Sequence, residues 1–315
     1  MTVAIVLALY GLCAALALPG LLGRGTWAER APRLAIALWQ AAGVSVAASA
    51  VLSAFAVAVP ASVVGHGLAD LFEACAALLH DEVALSSAGT WAGLAAGGLL
   101  VGRVASVGVK VLLRARRERR RHADALALLG KHDHELDAMV VEYDERLAYC
   151  LPGRKGHAVI TTGALRSLAP EQVAAVLAHE QAHLRGRHHL ALAGAEALAR
   201  AFPRVPLFEQ GRREVARLVE LLADDVAARR HQRVHLAAAL VGLATGRVPA
   251  FALGAGGETA LTRVRRMLHP HAPLARRQRV AGRLAVTALL AGPAALALAP
   301  GVAAFLAHHC HSLLS

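Results

Sequence analysis

The sequence predicts a mainly α-helical membrane protein, with four transmembrane helices and a mostly helical α+β domain between the third and the fourth. Three observations support this fold class. Of the 315 residues, 56% are hydrophobic and 4% aromatic, and the mean hydropathy is +0.47, which is too apolar for an ordinary soluble domain. Four apolar stretches reach the length of about 20 residues that crosses a bilayer. Most charged residues fall in one block, 114–283.

The apolar stretches divide the chain into three parts. Residues 1–113 contain three predicted spans, residues 114–283 form the domain, and residues 284–315 contain the fourth span and a short external tail. Buried core helices are the alternative, but the stretches are too long and too many for them. The four predicted spans are residues 3–23, 34–59, 83–102 and 284–307.

Basic residues decide the predicted orientation. Three arginines follow the first span, at Arg24, Arg30 and Arg33, and the arginine cluster 114–121 follows the third. The loop between the second and third spans contains Asp and Glu but no Lys or Arg. Short loops that are rich in Lys and Arg stay on the cytoplasmic side. We therefore expect a multi-pass plasma-membrane protein with both termini outside and residues 114–283 in the cytoplasm.

The net charge of +12 comes largely from arginines that flank the third and fourth spans. Such clusters bind anionic lipid headgroups at about 1 kcal/mol per residue, so membrane lipids are an expected partner. Direct nucleic-acid binding is not expected, because no groove-reading motif accompanies the arginines. The flanking residues are Arg114, Arg116, Arg117, Arg119, Arg120, Arg121, Arg263, Arg265, Arg266, Arg276, Arg277, Arg279 and Arg283.

Glycines of the third span recur every four residues, at Gly89, Gly93 and Gly97 and again at Gly98 and Gly102. This spacing places small residues along one stripe, which lets a second helix approach closely. Self-association through this span is therefore possible, although an Ala/Gly-rich chain also produces such spacing by chance.

The redox state predicted for each of the four cysteines depends on which side of the membrane it lies. Cys13 lies in a span and Cys150 in the reducing cytosol, so both are expected to be free thiols. Cys75 and Cys310 would both lie outside, where they could form a disulfide. The tail 308–311 could alternatively bind a metal through its histidines and cysteine, or remain disordered as termini often are.

Within the domain, two short strands are predicted to precede a helix. Arg146–Cys150 and Ala158–Thr162 have strand composition and flank a Pro-Gly turn. A helix is then predicted over 170–185, since proline suits its first turn and Glu171 complements the positive end of its dipole. Residues around Glu220 are predicted to form another helix beside it.

The helix 170–185 contains an H-E-x-x-H box. His179 and His183 lie four residues apart, so they face the same side of a helix and can both bind one zinc ion. Glu180 is the candidate catalytic residue, placed to take a proton from water and pass it to the leaving amine. The alternative interpretation is a pair of histidines on an ordinary buried helix, since short motifs also arise by chance.

The sequence offers two candidates for the third protein ligand. Glu220 is one, and Asp224, one turn later, could then orient a ligand imidazole. His189 is the other, because Gly186 completes the longer H-E-x-x-H-x-x-G-x-x-H pattern. Glu220 is favoured, because Met267 lies among arginines and is a poor candidate for the Met-turn that accompanies the longer pattern.

Four segments, 148–153, 158–165, 177–189 and 220–224, resemble the membrane zinc metallopeptidases of the BlaR/MecR type. More distantly they are similar to the CAAX-prenyl-protease and HtpX-type enzymes. The resemblance implies a zincin-like protease domain with one Zn²⁺ per chain, held by His179, His183 and Glu220. It also implies that Glu180 is the general base. The beta-lactam-sensing members have a penicillin-sensor domain after the last span, and here residues 308–315 follow it, so drug sensing is not expected.

Three functions are compatible with these features. The favoured one is a membrane zinc metalloendopeptidase that cleaves a cytoplasmic or membrane-associated protein in regulated proteolysis, with a transcriptional repressor as a plausible substrate. A general quality-control protease for membrane proteins is the second. The third is a non-catalytic signalling protein stabilised by zinc, against which the intact Glu180 argues, because a structural site needs no general base.

Overall fold

The computed structural model describes residues 2–58, 88–153, 156–244, 257–269 and 271–312. These residues are mainly helical, with one small sheet. The helices before the sheet are α1 (Thr2–Leu22), α2 (Trp27–Arg30), α3 (Pro32–Ala58) and α4 (Ala88–Leu129). The strands are β1 (Gly130–Asp133), β2 (Ala138–Val141), β3 (Ala148–Leu151) and β4 (His157–Thr161). The later helices are α5 (Thr162–Ser167), α6 (Pro170–Arg185), α7 (His188–Ala201), α8 (Pro206–Ala227), α9 (Arg233–Ala244), α10 (Gly257–Leu268) and α11 (Arg276–Ser312).

Among the described residues, four helices are long and apolar enough to cross a membrane, namely α1, α3, α4 and α11. They correspond to the four predicted spans. The third continues well past its predicted end at residue 102, because the Arg-, Ala- and Leu-rich segment that follows consists of strong helix formers. Residues 83–87 of that predicted span lie outside the described part of the chain, as does Cys75, so the predicted disulfide stays a prediction.

Part of the glycine stripe packs against α3 of the same chain. A Cβ atom at Gly93 would lie 2.7 Å from the backbone nitrogen of Ala58, and one at Gly97 would lie 2.8 Å from the ring of Phe55. At Gly98 and Gly102 a Cβ atom would meet no other atom within 4 Å. The close approach that this spacing permits is therefore used within the chain, and self-association through the same helix remains a prediction.

Gly93→Ala is expected to destabilise the protein. Its added methyl group would also lie 2.8 Å from the carbonyl oxygen of Ala54, and backbone atoms cannot turn aside as a side chain can. Overpacking of this kind costs about 1–3 kcal/mol, which thermal unfolding in detergent would detect. Gly98→Ala is the matched control, expected to be neutral or slightly stabilising because Ala favours helix. Equal melting temperatures for the two variants would contradict the packing shown here.

The apolar helix α3 also forms the core beneath α8. Trp39 and Val46 of α3 belong to one buried cluster with Phe208, Val215 and Leu218 of α8. The fit is close, because a Cβ atom added to α8 at residue 211 would lie 3.3 Å from the Trp39 ring. The core that supports α8 thus includes residues far upstream of position 114.

The sheet has the strand order β1-β2-β4-β3. The predicted pair appears as β3 and β4, antiparallel and shifted by one or two residues from the predicted bounds. Strands β1 and β2 were not predicted, and β2 pairs with β4 in parallel, so the sheet is mixed rather than antiparallel. One face, with Ala158 and Ile160, packs against Val176 and Leu177 of α6. Strand β3 lies at an edge of the described sheet.

The helix α6 has the bounds that the sequence predicts. Pro170 occupies its first turn and Glu171 follows. The side-chain oxygen of Gln172 accepts a hydrogen bond from the backbone nitrogen of Ala169 at 3.1 Å, which ties down the chain before the helix. The helix ends at Arg185, and the chain turns through Gly186 into α7.

Candidate metal centre

Helix α6 brings the two histidines of the H-E-x-x-H box together. The Nε2 atoms of His179 and His183 lie 3.0 Å apart, as expected for residues one turn apart on a helix. Each residue is only 6% exposed. Two imidazole nitrogens therefore converge at one buried point.

Glu220 of α8 completes a triangle with these nitrogens. Its Oε2 lies 3.4 Å from the Nε2 of His179, and its Oε1 lies 3.4 Å from the Nε2 of His183. Zinc bonds of about 2.0–2.1 Å place tetrahedral ligand atoms about 3.4 Å apart. The two nitrogen–oxygen separations equal this value, and the 3.0 Å between the two nitrogens is somewhat shorter. The donor types of this His/His/Glu group, which could hold a metal ion, therefore fit zinc and its spacing is close to that of a zinc site.

Asp224 lies one turn after Glu220 and approaches the other side of His179. Its Oδ1 is 2.9 Å from the Nδ1 of His179 and the residue is 1% exposed. The contact is short but poorly aligned for a hydrogen bond, since this Nδ1 has no hydrogen-bonding partner among the described residues. The carboxylate is still placed where it can fix the orientation of the ring.

The surrounding carboxylates control the protonation of the histidines. Burial alone lowers the pKa of His179, but Asp224 and Glu220 outweigh burial and raise it to about 10. Burial, helped by the charge of His179, lowers the pKa of His183 to about 3. Without a metal ion, one proton is thus held between His179 and the carboxylates. Zinc requires neutral imidazole, so its binding would displace that proton.

Glu180 contacts a residue of the sheet. Burial raises the pKa of its carboxyl group, and the neighbouring thiol of Cys150 opposes part of this shift. Cys150 is paired with Ala158 in the register of β3 and β4, so its side chain shares the sheet face that packs on α6. Cys150 is a free cysteine, as predicted, and so is Cys13. The contact with Glu180 was not predicted.

The turn after α6 returns His188, rather than His189, to the site. The Nδ1 of His188 lies 3.1 Å from the Nδ1 of His183. A Cβ atom at Gly186 would lie 2.3 Å from the Nε2 of His188, so glycine is needed for this approach. His189 is not a member of the His/His/Glu group found among the described residues. Burial lowers its pKa, as do Arg119 and Arg187.

Arg263 of α10 contacts both carboxylates of α8. Its Nε and Nη2 donate to the two oxygens of Asp224 at 2.8 and 2.7 Å, and its Nη1 lies 3.0 Å from the Oε2 of Glu220. Arg266, one turn later, lies 2.7 Å from Asp225. Both arginines are buried.

The assignment of Arg263 and Arg266 to lipid headgroups is therefore wrong. Buried carboxylates on α8 need positive partners, because an unpaired buried charge is very costly. Helix α10 supplies these partners. A signal was present in the sequence: Glu220, Asp224 and Asp225 fall within one helical segment that also contains many apolar residues.

Residues 114–205 match the family model of peptidase family M48. The matched range includes β1–β4 and α6 but ends before Glu220. A comparison with curated proteins and one with solved structures give no match. Over the matched range, the chain is thus similar to the M48 metallopeptidases, and the His/His/Glu group agrees with the metal dependence of such enzymes.

Proposed function

We propose that the protein is a zinc metalloendopeptidase whose active centre is formed by α6 and α8. The observation that supports this most directly is the triangle of ligand atoms from His179, His183 and Glu220. Glu180 follows the first of these residues and its side chain is partly buried beside them. The match to M48 peptidases supports the same chemistry.

Each residue of this centre has a distinct role in the proposal. His179, His183 and Glu220 hold the metal ion, and Asp224 orients the ring of His179. A zinc ion in this position would polarise the scissile carbonyl and make a water molecule more acidic. Glu180 takes the proton from that water and donates it to the leaving amine. Cys150 of β3 lies beside the Glu180 carboxylate.

The edge strand β3 is the proposed binding site for the substrate backbone. It pairs with β4 on one side only in the described sheet, so its other edge can accept an extended peptide by strand addition. Cys150 belongs to this strand and contacts Glu180. A peptide added there would therefore pass beside the proposed general base.

We also propose that the centre faces the cytoplasm. The four apolar helices support a multi-pass membrane protein, and the arginines after the first and third spans support cytoplasmic placement of 114–283. A phosphatase that is active only outside the cytosol should be active when fused after residue 312 and inactive when fused after residue 232. The reverse pattern would overturn this orientation.

Regulated cleavage of a cytoplasmic or membrane-associated protein, such as a repressor, is the proposed role. The resemblance to the BlaR/MecR type supports it. Incubating the purified protein with candidate repressors tests this role, and cleavage of misfolded membrane proteins alone would favour quality control instead.

The peptidase activity itself can be tested on protein purified in detergent. We expect about one zinc per chain, because one His/His/Glu group lies in the part of the chain that the structure describes. We also expect cleavage of casein or of the chain itself. A chelator should abolish cleavage and added zinc should restore it, whereas a serine-protease inhibitor should have no effect. Full cleavage after zinc removal would disprove the proposal.

A further inference from the structure

Arg263 is a buried cation in direct contact with the proposed ligand residues Glu220 and His179. We propose that Arg263 is a positioning residue for the ion site. It holds Glu220 in the orientation that binds the ion, and it holds Asp224 in the orientation that supports the His179 ring. This inference rests on the proposed function, because it presupposes that the His/His/Glu group binds zinc.

The contacts of Arg263 account for the placement of both carboxylates. Its Nε and Nη2 contact the two oxygens of Asp224, and its Nη1 contacts Glu220. A guanidinium is planar and presents its donors in a fixed fork. Because one rigid group binds both side chains, the distance and angle between the two carboxylates are fixed before any ion enters.

The same oxygens that Arg263 contacts also face the histidine. The Oδ1 of Asp224 is 2.7 Å from Nη2 of Arg263 and 2.9 Å from Nδ1 of His179. The Oε2 of Glu220 is 3.0 Å from Nη1 of Arg263 and 3.4 Å from Nε2 of His179. Arg263 is therefore connected to His179 through one carboxylate on each side of the imidazole ring, and its Nη2 also lies 3.4 Å from the Nε2 of His179 itself.

Charge alone predicts the opposite effect from positioning. A permanent cation beside the site repels a divalent ion, so its removal would strengthen zinc binding if charge dominated. If positioning dominates, removing the guanidinium frees Glu220 and Asp224 to turn, and zinc binding weakens. Replacing Arg263 by Lys separates the two effects, since Lys keeps the charge and loses the fork.

Arg266 provides a matched control on the same helix. It is 8% exposed, compared with 6% for Arg263. Its Nε and Nη2 donate to the backbone oxygen of Glu29 at 3.1 and 2.7 Å, and Nη2 also contacts Asp225. Its Nη1 also lies 3.5 Å from the backbone oxygen of Leu221. Loss of this arginine thus breaks several part-buried contacts and one buried contact, none of them with the side chain of Glu220 or Asp224.

The experiment measures the zinc dissociation constant of detergent-purified full-length protein by competition with a chromogenic chelator. We expect Arg263→Gln and Arg263→Lys both to weaken zinc binding by about 10–100-fold, the usual effect of losing a residue that orients a ligand. The visible spectrum of bound Co²⁺ should change in both variants. Arg266→Gln should lower thermal stability and leave both the zinc affinity and the Co²⁺ spectrum unchanged.

Several results would overturn the inference. Unchanged zinc affinity in both Arg263 variants would do so. Tighter zinc binding in Arg263→Gln with unchanged zinc binding in Arg263→Lys would also do so, because that pattern would show an effect of charge alone. If Arg263→Gln does not fold, wild-type affinity in Arg263→Lys is sufficient to reject it. A wild-type protein that binds no zinc would instead disprove the proposed function.

Discussion

Glu180→Gln is expected to lower proteolysis by about 10²–10⁴-fold, the usual contribution of a general acid–base residue, while zinc binding stays close to that of the wild type. The amide has the shape of the carboxylate but cannot take up a proton from water. Glu180 is not one of the three residues of the His/His/Glu group, so its replacement removes no proposed ligand. Zinc content and casein cleavage, measured side by side, check both halves of this expectation.

The control for this variant is Glu171→Gln, in the exposed first turn of the same helix. This variant also removes one carboxylate from α6, but Glu171 lies away from the His/His/Glu group, so proteolytic activity should be retained. Proteolysis at the wild-type rate in Glu180→Gln would remove Glu180 from the mechanism. Loss of both zinc and activity would instead show that the side chain supports the metal site itself.

Glu220→Ala is expected to weaken zinc binding by more than about 100-fold, beyond the 10–100-fold range typical of residues that only orient ligands. The variant removes one of the three proposed protein ligands and leaves the two histidines. His189→Ala should change zinc affinity little, because His189 stands apart from the group that gathers around the proposed ion. Equilibrium zinc binding to the two variants and the wild type checks this ranking.

Folding must be controlled in this comparison, since Glu220 also contacts Arg263. Glu220→Gln keeps the size of the side chain and should fold at least as well as Glu220→Ala. It should still bind zinc more weakly than wild type, because a neutral amide is a poorer ligand than a carboxylate. The opposite ranking, with His189→Ala the more damaging change, would favour the longer ligand pattern that includes Gly186.

Local sequence signals predicted the features that depend on neighbouring residues. The bounds of α6 follow from Pro170, Glu171 and Gly186, each acting within one turn of the helix. The convergence of His179 and His183 follows from helical spacing alone. The approach of Glu220 depends on tertiary packing. Glu220 was favoured because the longer ligand pattern lacks a convincing Met-turn, and the resemblance implied the same residue.

The unpredicted contacts join residues that are distant in the sequence. Arg263 meets Asp224 across 39 residues, and no periodicity of α10 indicates which carboxylate it will face. Strand β1 consists of Gly, Lys, His and Asp, which have little preference for strand structure, so only its pairing with β2 makes it one. Cys150 reaches Glu180 because the sheet register turns it toward α6.

The shared core of α3 and α8 limits how the His/His/Glu group can be separated from the apolar helices. A fragment that begins at residue 114 would expose Phe208, Val215 and Leu218, which α3 now covers. Such a fragment would present a broad apolar face on the helix that carries Glu220, and faces of this kind promote aggregation. The helices that carry the His/His/Glu group therefore cannot be transferred to a water-soluble protein without redesigning the face that the apolar helices cover.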